Sequence, residues 1–236
     1  QNHYSAYVVG GAIRNALLEL PIHDYDLTTD ATPDEMLQVF SSHRVLKTGI
    51  QHGMITVLSK GQPVELTTFR SENVYKDHRH PSGVLFSDNI KEDCKRRDFT
   101  INALCYNNNE GLLDFFGGVN DLSNKIIRCI GNANERIDED ALRILRALRF
   151  AGRLSFTIEE NTATAIHKQK DLLHYISEER IHSEWIGILE TNALSSILTE
   201  YSDVIQVFIP ELKENIIQES ISSINQSPLS ANIRTA

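Results

Sequence analysis

Tyr7-Val8-Val9-Gly10-Gly11-Ala12-Ile13-Arg14, followed a short way on by His23-Asp24-Tyr25-Asp26-Leu27, decides the fold class of this chain. The first stretch reads as an apolar strand, a double-glycine turn and a helix beginning near Ala12. In the second, two carboxylates stand two residues apart. On a strand such a pair points to one side of the sheet, because side chains alternate with period 2. Oxygen ligands so placed near a strand end suit Mg²⁺. Alone, either stretch is weak: a glycine pair also makes a plain strand–helix turn, and D-x-D is often a solvated turn. In this order they predict a phosphate cradle beside a metal site, the minimal equipment for phosphoryl transfer from a nucleotide.

Residues up to about 120 alternate short apolar runs with turns. Helical spacing covers Ala12–Leu20, ending at Pro21, and Tyr25–Thr29 reads as a strand. Thr32-Pro33-Asp34-Glu35 has the form of a helix start, with a Thr cap, Pro at the first position and Glu three residues after the cap. That helix runs to about Ser41. His43–Lys47, Met54–Leu58 and Pro63–Thr68 read as strands, the last two joined at Gly61-Gln62 as an antiparallel hairpin. Glu65 alternates there with apolar residues; spacing alone allows it to face solvent or to join the aspartates as a third carboxylate. Residues 71–90 form a long loop without periodicity, of the kind that carries function. A helix over Lys91–Lys95 leads into Arg96-Arg97-Asp98-Phe99-Thr100-Ile101-Asn102-Ala103-Leu104. Arg96-Arg97-Asp98 is either a charged helix end or a phosphate contact through Arg97, oriented by Asp98. Leu112–Phe115 is a further strand, before Gly117-Gly118.

Beyond Asn120 the pattern turns helical, with helices over Glu139–Ala151, Asn161–Gln169, Glu178–Glu190 and Leu194–Phe208. In the first of these, Asp140, Arg143, Arg146 and Arg149 recur every three residues and form one slowly drifting ridge, while Leu142, Leu145 and Leu148 keep the adjoining ridge apolar. Arg143, Arg146, Arg149 and Arg153 occur between Ala141 and Ile158 without an acid. Like charges in line repel by a few tenths of a kcal/mol per pair, which points to an anionic ligand. A carboxylate at Asp140 accepts from an exocyclic amine and a guanidinium at Arg143 donates to a neighbouring acceptor, a pattern that suits C and A.

Composition sets limits. With 236 residues, 41% hydrophobic and 23% charged, the chain has ordinary globular character and length for one large domain or two small ones. No run of 18 apolar residues exists, so no membrane span is expected. Gln1–Ser5 has neither the basic nor the apolar region of a signal peptide. The chain starts almost on its first strand, as a trimmed piece would. Cys94, Cys105 and Cys129 have no metal-binding spacing and read as free thiols of a reducing cytoplasm. The net charge of −9 is the wrong sign for a general nucleic-acid coat, so the arginine cluster implies a local nucleotide or tRNA site.

The order of these motifs resembles the class II tRNA nucleotidyltransferases, the CCA-adding enzymes, with bacterial poly(A) polymerases as close relatives. It runs Gly10-Gly11-x-x-Arg14, Asp24-x-Asp26, Arg96-Arg97-Asp98-Phe99-Thr100-Ile101-Asn102-Ala103, Asp114-x-x-Gly117-Gly118-x-x-Asp121-Leu122 and Glu139-Asp140-x-x-Arg143. The resemblance covers about residues 7–215 and implies an α+β fold. In it a nucleotidyltransferase head with a small mixed β-sheet occupies 1–125, an all-α neck with the nucleotide-reading helix 126–190, and the start of a truncated helical body 191–236. It implies two Mg²⁺ held by Asp24 and Asp26 as the cofactor of a two-metal nucleotidyl transfer, with Glu65 as the third catalytic carboxylate. Gly10, Gly11 and Arg14 would contact the triphosphate. Arg97, Asp98, Asn102, Glu139, Asp140, Arg143, Arg146 and Arg149 would complete the nucleotide site. The partners implied are the tRNA 3′ end with CTP and ATP; no membrane and no stable protein partner follow.

The activity implied is template-independent addition of CCA to tRNA, the alternatives being an A-adding enzyme or a poly(A) polymerase. Thr48-Gly49-Ile50-Gln51-His52-Gly53 is similar to the CCA- and A-adding members. The loop from Ser71 to Phe86 keeps Tyr75, Asp77, Arg79 and Pro81, which favours competence for A, although His80 stands where Arg is more usual. An idle RNA-binding module is the reading from another class, and the intact Asp24 and Asp26 argue against it.

Overall fold

A computed structural model describes residues 3–71, 85–213, 216, 217 and 219. They divide into two compact units, residues 3–71 with 85–122 and residues from 123 onward.

The first unit is built on a mixed seven-stranded sheet. In chain order its elements are β1 (Ala6–Val9), α1 (Gly11–Leu17), β2 (Asp26–Thr29), α2 (Pro33–Val39), β3 (Arg44–Leu46), β4 (Met54–Ser59), β5 (Gln62–Thr68), α3 (Ile90–Lys95), β6 (Cys105–Asn107), β7 (Gly111–Leu113) and α4 (Gly118–Ser123). The strand order is β3-β4-β5-β2-β1-β6-β7. Among the described residues only β2 and β5 pair in parallel in this sheet. One face is closed by α2, with Met36, Ile55, Val57, Leu66 and Ala31 buried together. The local signals explain these elements. Thr32 and Glu35 form the expected reciprocal cap, the Thr32 N–H donating to Glu35 at 2.8 Å. The hairpin turn is Lys60-Gly61, one residue earlier than the glycine suggested. Both residues take positive φ, 51° and 82°, which matches the twist of the flanking strands. Helix α1 stops at Leu17 rather than Leu20, and Glu19 takes a left-handed φ of 55° just beyond it.

The second unit is mainly helical. It contains β8 (Ile126–Ile127), α5 (Ala133–Glu139), α6 (Leu142–Leu154), β9 (Thr157–Ile158), α7 (Glu160–Gln169), α8 (Glu178–Leu189), α9 (Leu194–Glu200) and α10 (Ser202–Ile205), with a 3₁₀ turn over Lys170–Tyr175. It departs from the all-α expectation in the short parallel pair β8–β9. Two residues of each strand suffice for that pair, too few for an alternating pattern to register in sequence. Helix α6 packs against α8, and Leu142, Leu145 and Leu148 are buried as their spacing predicted. The helix expected over 194–208 is broken at Tyr201, whose ring stacks flat on His167, with centroids 5.0 Å apart.

Candidate nucleotide-binding site

Strand β1 ends at Val9, which pairs with Asp26 on β2 and with Cys105 on β6. The next residue, Gly10, has φ 67° and ψ −126°, a backbone that an L side chain accepts only with strain. Its N–H donates to the Leu104 carbonyl at 3.1 Å, which fixes the turn against the segment leading into β6. A Cβ at Gly10 would lie 3.2 Å from Nη1 of Arg97, so the guanidinium lies directly over the glycine. Arg14, one turn into α1, is buried and donates from Nη1 to Oδ1 of Asn102 at 2.6 Å. Asn102 in turn donates to Asp98 at 3.1 Å. Gly10, Gly11, Arg14, Arg97, Asp98 and Asn102 thus lie together in the first unit, a grouping that the resemblance, and not spacing, implied.

Asp26 opens β2 and stands in register with Glu65 on the parallel neighbour β5. Residues paired in register share a face of the sheet, so the alternative of Glu65 facing away from Asp26 is removed. Asp24 differs from expectation: the strand begins at Asp26, and Asp24 lies two residues before it. Period 2 therefore does not place it. Asp24, Asp26 and Glu65 are all exposed. Among the described residues no three His, Cys, Asp or Glu side chains converge on a metal-holding point, so the three do not form a closed cluster. The donor set still fits Mg²⁺. It consists of hard oxygen ligands open to solvent, and this ion keeps waters and shares its coordination with substrate phosphates.

The orientation of Arg97 corrects the sequence reading. Its hydrogen-bonded partner is Asp93, at 3.1 Å, and not Asp98. Asp98 instead takes the Phe99 N–H at 2.8 Å and the Asn102 amide. Asp93 is fully buried and also binds Arg96 at 2.6 Å. Burial pushes its carboxyl upward, but the Arg96 and Arg97 charges outweigh that and hold it below the ordinary carboxylate range. The signal was present in the sequence, since Asp93 stands three and four residues before the two arginines on one helix face.

The Asp114-x-x-Gly117-Gly118-x-x-Asp121 motif has a structural reason. Asp114 accepts from the N–H groups of Gly118 and Val119, both at 2.9 Å, and so starts α4. Gly118 then packs so tightly on the Thr100 carbonyl that a Cβ would lie 2.3 Å from its oxygen. Asp121 accepts from the Thr100 hydroxyl at 2.6 Å. The motif clamps the 3₁₀ turn Thr100–Asn102, which carries the Arg14 partner.

In the second unit the single helix expected from Glu139 is two helices. α5 ends at Glu139, Asp140 is extended with φ −144°, and α6 begins at Leu142. Asp140 therefore does not share the ridge of Arg143, Arg146 and Arg149. It accepts from the Leu142 N–H at 3.2 Å and from Arg180 on α8 at 3.1 Å. The arginines are not uncompensated either. Buried Arg143 binds Glu139 at 2.8 Å and the Arg136 carbonyl. Arg149 binds Glu184 at 2.5 Å, and Arg146 lies 3.8 Å from the same carboxylate. Glu184 comes from α8, where Gly187 leaves room for the Arg149 stem: a Cβ there would meet its Cδ at 2.4 Å. The acids absent from the local sequence arrive from other elements. Arg180 and Glu184, missed from sequence, stand one turn apart and could have been sought by that i, i+4 spacing.

Tyr75, Asp77, Arg79, His80 and Pro81 of the expected loop lie outside the described residues. Cys94, Cys105 and Cys129 are buried and not in disulfides. No described helix is long and apolar enough to cross a membrane.

Comparison with known proteins follows the same lines. Residues 6–128 match the family described as the poly A polymerase head domain. Residues 155–216 match the probable RNA and SrmB-binding site of polymerase A. The CCA-adding enzyme of Ligilactobacillus salivarius is 46% identical over 200 residues, 85% of this chain and 49% of that protein. That of Enterococcus faecalis is 50% identical over 186 residues, 79% of this chain and 45% of that protein. Among solved structures, the Bacillus stearothermophilus CCA-adding enzyme in complex with CTP is similar with a TM-score of 0.83 and 34% identity, over 95% of this chain and 54% of that one. The Thermotoga maritima CCA-adding enzyme complexed with tRNA gives 0.70 at 27% identity, over 88% and 48%. The chain spans about half the length of the curated relatives it matches. The head-domain match covers more than half of the chain and contains the glycine turn, the carboxylates and the Arg97 network, and the chain belongs to the class II CCA-adding enzyme and poly(A) polymerase family.

Proposed function

We propose that this chain carries out template-independent addition of C, C and A to the 3′ end of tRNA, using CTP and ATP, by nucleotidyl transfer that depends on Mg²⁺. The observation that carries the reading is the β1–β2 register. It sets Asp26 beside Val9, next to the glycine turn over which Arg97 lies. Relatives named as CCA-adding enzymes favour this reading over A addition alone or poly(A) synthesis.

Asp24 and Asp26 would hold Mg²⁺, with Glu65 beside them. When bound, the ion would lower the pKa of the attacking 3′-hydroxyl and neutralise charge on the triphosphate. Gly10 and Gly11 let the triphosphate approach the backbone closely, and Arg97 offers donors there. Arg14, held by Asn102, which in turn donates to Asp98, is assigned to the triphosphate as well. Glu139, Asp140, Arg143, Arg146 and Arg149 are assigned to the base of the nucleotide, with Arg180 and Glu184 fixing two of them. In this reading residues 1–125 are the head, 126–190 the neck and 191–236 the start of the body.

The test is primer extension on tRNA transcripts ending before CCA and after CC, with Mg²⁺ and each nucleotide alone or mixed. Addition of C, C and A followed by a stop is expected. Only A on the CC-ended transcript, or a long A tail, would replace the reading by its alternatives. No incorporation together with no Mg²⁺-dependent binding of CTP or ATP would end it.

A further inference from the structure

We propose that Asp93 is a positioning residue of the nucleotide site, holding the Arg97 guanidinium at the Gly10 turn and tying it to strand β2 and to the backbone at Arg70. The proposal rests on the reading of Gly10, Gly11 and Arg97 as nucleotide ligands.

The two oxygens of this fully buried carboxylate have different tasks. Oδ1 accepts from the Arg70 N–H at 3.1 Å and from Nε and Nη2 of Arg96 at 2.9 and 2.6 Å. Oδ2 accepts from Nη2 of Arg97 at 3.1 Å and lies 3.4 Å from the Thr28 hydroxyl, whose nearer acceptor is the Thr67 carbonyl at 3.1 Å. Thr28 is two residues along β2 from Asp26 and so on the same face of the sheet. Arg70 follows β5, the strand of Glu65, and forms a bridge with Phe86. One side chain thus links the strands carrying two of the candidate carboxylates with the arginine over the glycine turn.

An ion pair that served only the fold would satisfy both partners. Here the carboxylate is saturated and the guanidinium is not. Nε of Arg97 is buried without a hydrogen bond. Nη1 faces Gly10, and the side chain is 20% exposed. Asp93 therefore anchors Nη2 and leaves Nη1, which stands at the glycine turn, to an anion arriving there. A guanidinium held in this way is already oriented before the ligand arrives, which is where preorganisation raises affinity. The ligand class that fits is the triphosphate of a nucleotide.

A double-mutant cycle tests this, with CTP and Mg²⁺ titrated by calorimetry into the parent chain, Asp93→Asn, Arg97→Ala and the double variant. Loss of one charge-assisted hydrogen bond corresponds to about tenfold in affinity. Each single variant is expected to weaken CTP by about that factor, and the double variant to bind no more weakly than Arg97→Ala, because Asp93 acts through Arg97. A further loss of about threefold or more from Asp93→Asn in the Arg97→Ala background overturns the proposal, as does unchanged affinity in Asp93→Asn when Arg97→Ala is weakened. Unchanged affinity in Arg97→Ala overturns the underlying site reading instead, and the proposal with it. Should Asp93→Asn fail to fold by circular dichroism, Asp93→Glu keeps the charge and displaces it by one methylene. The same cycle then applies, with about threefold expected.

Discussion

Replacing Gly118 by alanine inserts a Cβ where the backbone of another segment already stands. That atom would lie 2.3 Å from the Thr100 oxygen and 2.9 Å from its carbonyl carbon. An ordinary C···O contact is about 3.3–3.6 Å, so the two segments must separate by about 1 Å. No rotamer relieves this, because both contacting atoms are main chain. The carbonyl also accepts from the Ala103 N–H at 3.1 Å, and the Thr100 hydroxyl is held by Asp121. Overpacking costs about 1–3 kcal/mol where side chains can shift, and this contact belongs at the upper end. Helix propensity returns less than about 1 kcal/mol. A net loss of about 2–3 kcal/mol is expected, read as a urea midpoint lower by about 1 M or more. The displaced turn carries Asn102, so weaker Mg²⁺–CTP binding should accompany the loss. Gly117→Ala is the control. Its φ is 79° and nothing lies within 4 Å of its Cβ position, so it carries only the left-handed penalty of about 1–2 kcal/mol. It should leave CTP affinity alone. A midpoint for Gly118→Ala within error of the parent, or equal CTP affinity in both variants, would refute the clamp.

Asp24→Asn and Asp26→Asn should each abolish nucleotide addition and leave the unfolding midpoint unchanged, because both residues are exposed; residual activity near the parent level would remove the metal assignment. Arg143→Ala should relax the preference for CTP and ATP over UTP and GTP more than it lowers triphosphate affinity, and incorporation assays with each nucleotide alone would reveal unchanged selectivity if the base-reading role is wrong. Acid should weaken the fold through Asp93. Its carboxyl is depressed in the folded chain, so its stabilisation is complete above the unfolded value of about 4 and disappears as pH falls through the lower folded value. Urea midpoints measured between pH 6 and 3 should therefore converge for the parent and Asp93→Asn as pH drops, and a constant gap would contradict the assignment.

Short-range chemistry was readable from the chain, and partners supplied from a distance were not. The Thr32 cap, the β4–β5 hairpin and the buried leucines of α6 depend on residues within a few positions of one another, and the structure has all three. The glycine turn was legible for another reason, whereas its grouping with Arg97 and Asn102 came only from the family resemblance. Glycine at φ 67° is a backbone requirement, and such requirements leave a mark on residue type. Whether Glu65 stands beside Asp26 was not legible. It depends on a parallel pairing between strands that are not consecutive, a register that no local pattern encodes.

The arginines of α6 show why charge counting along a chain misleads. Their compensating acids are Glu139, on the preceding helix, and Glu184, on a helix beginning 24 residues after α6 ends. Unpaired like charges therefore cannot be the reason to assign an anion there. A different argument replaces it. Asp140 stands at the junction of α5 and α6 in an extended conformation and is held from outside by Arg180. Arg143 is held by the last residue of α5. Both side chains that the base-reading proposal needs are fixed in direction before any ligand is present. A hydrogen-bonding edge discriminates among bases only when its own geometry costs little to set, since a mobile pair would adapt to the wrong base as readily as to the right one. Salt bridges that weaken the electrostatic case for anion binding thus strengthen the case for selectivity. The two readings part at Arg180→Ala. Loss of base preference with CTP affinity retained would support fixed orientation, whereas loss of CTP affinity with preference retained would return the arginines to a simple anion site.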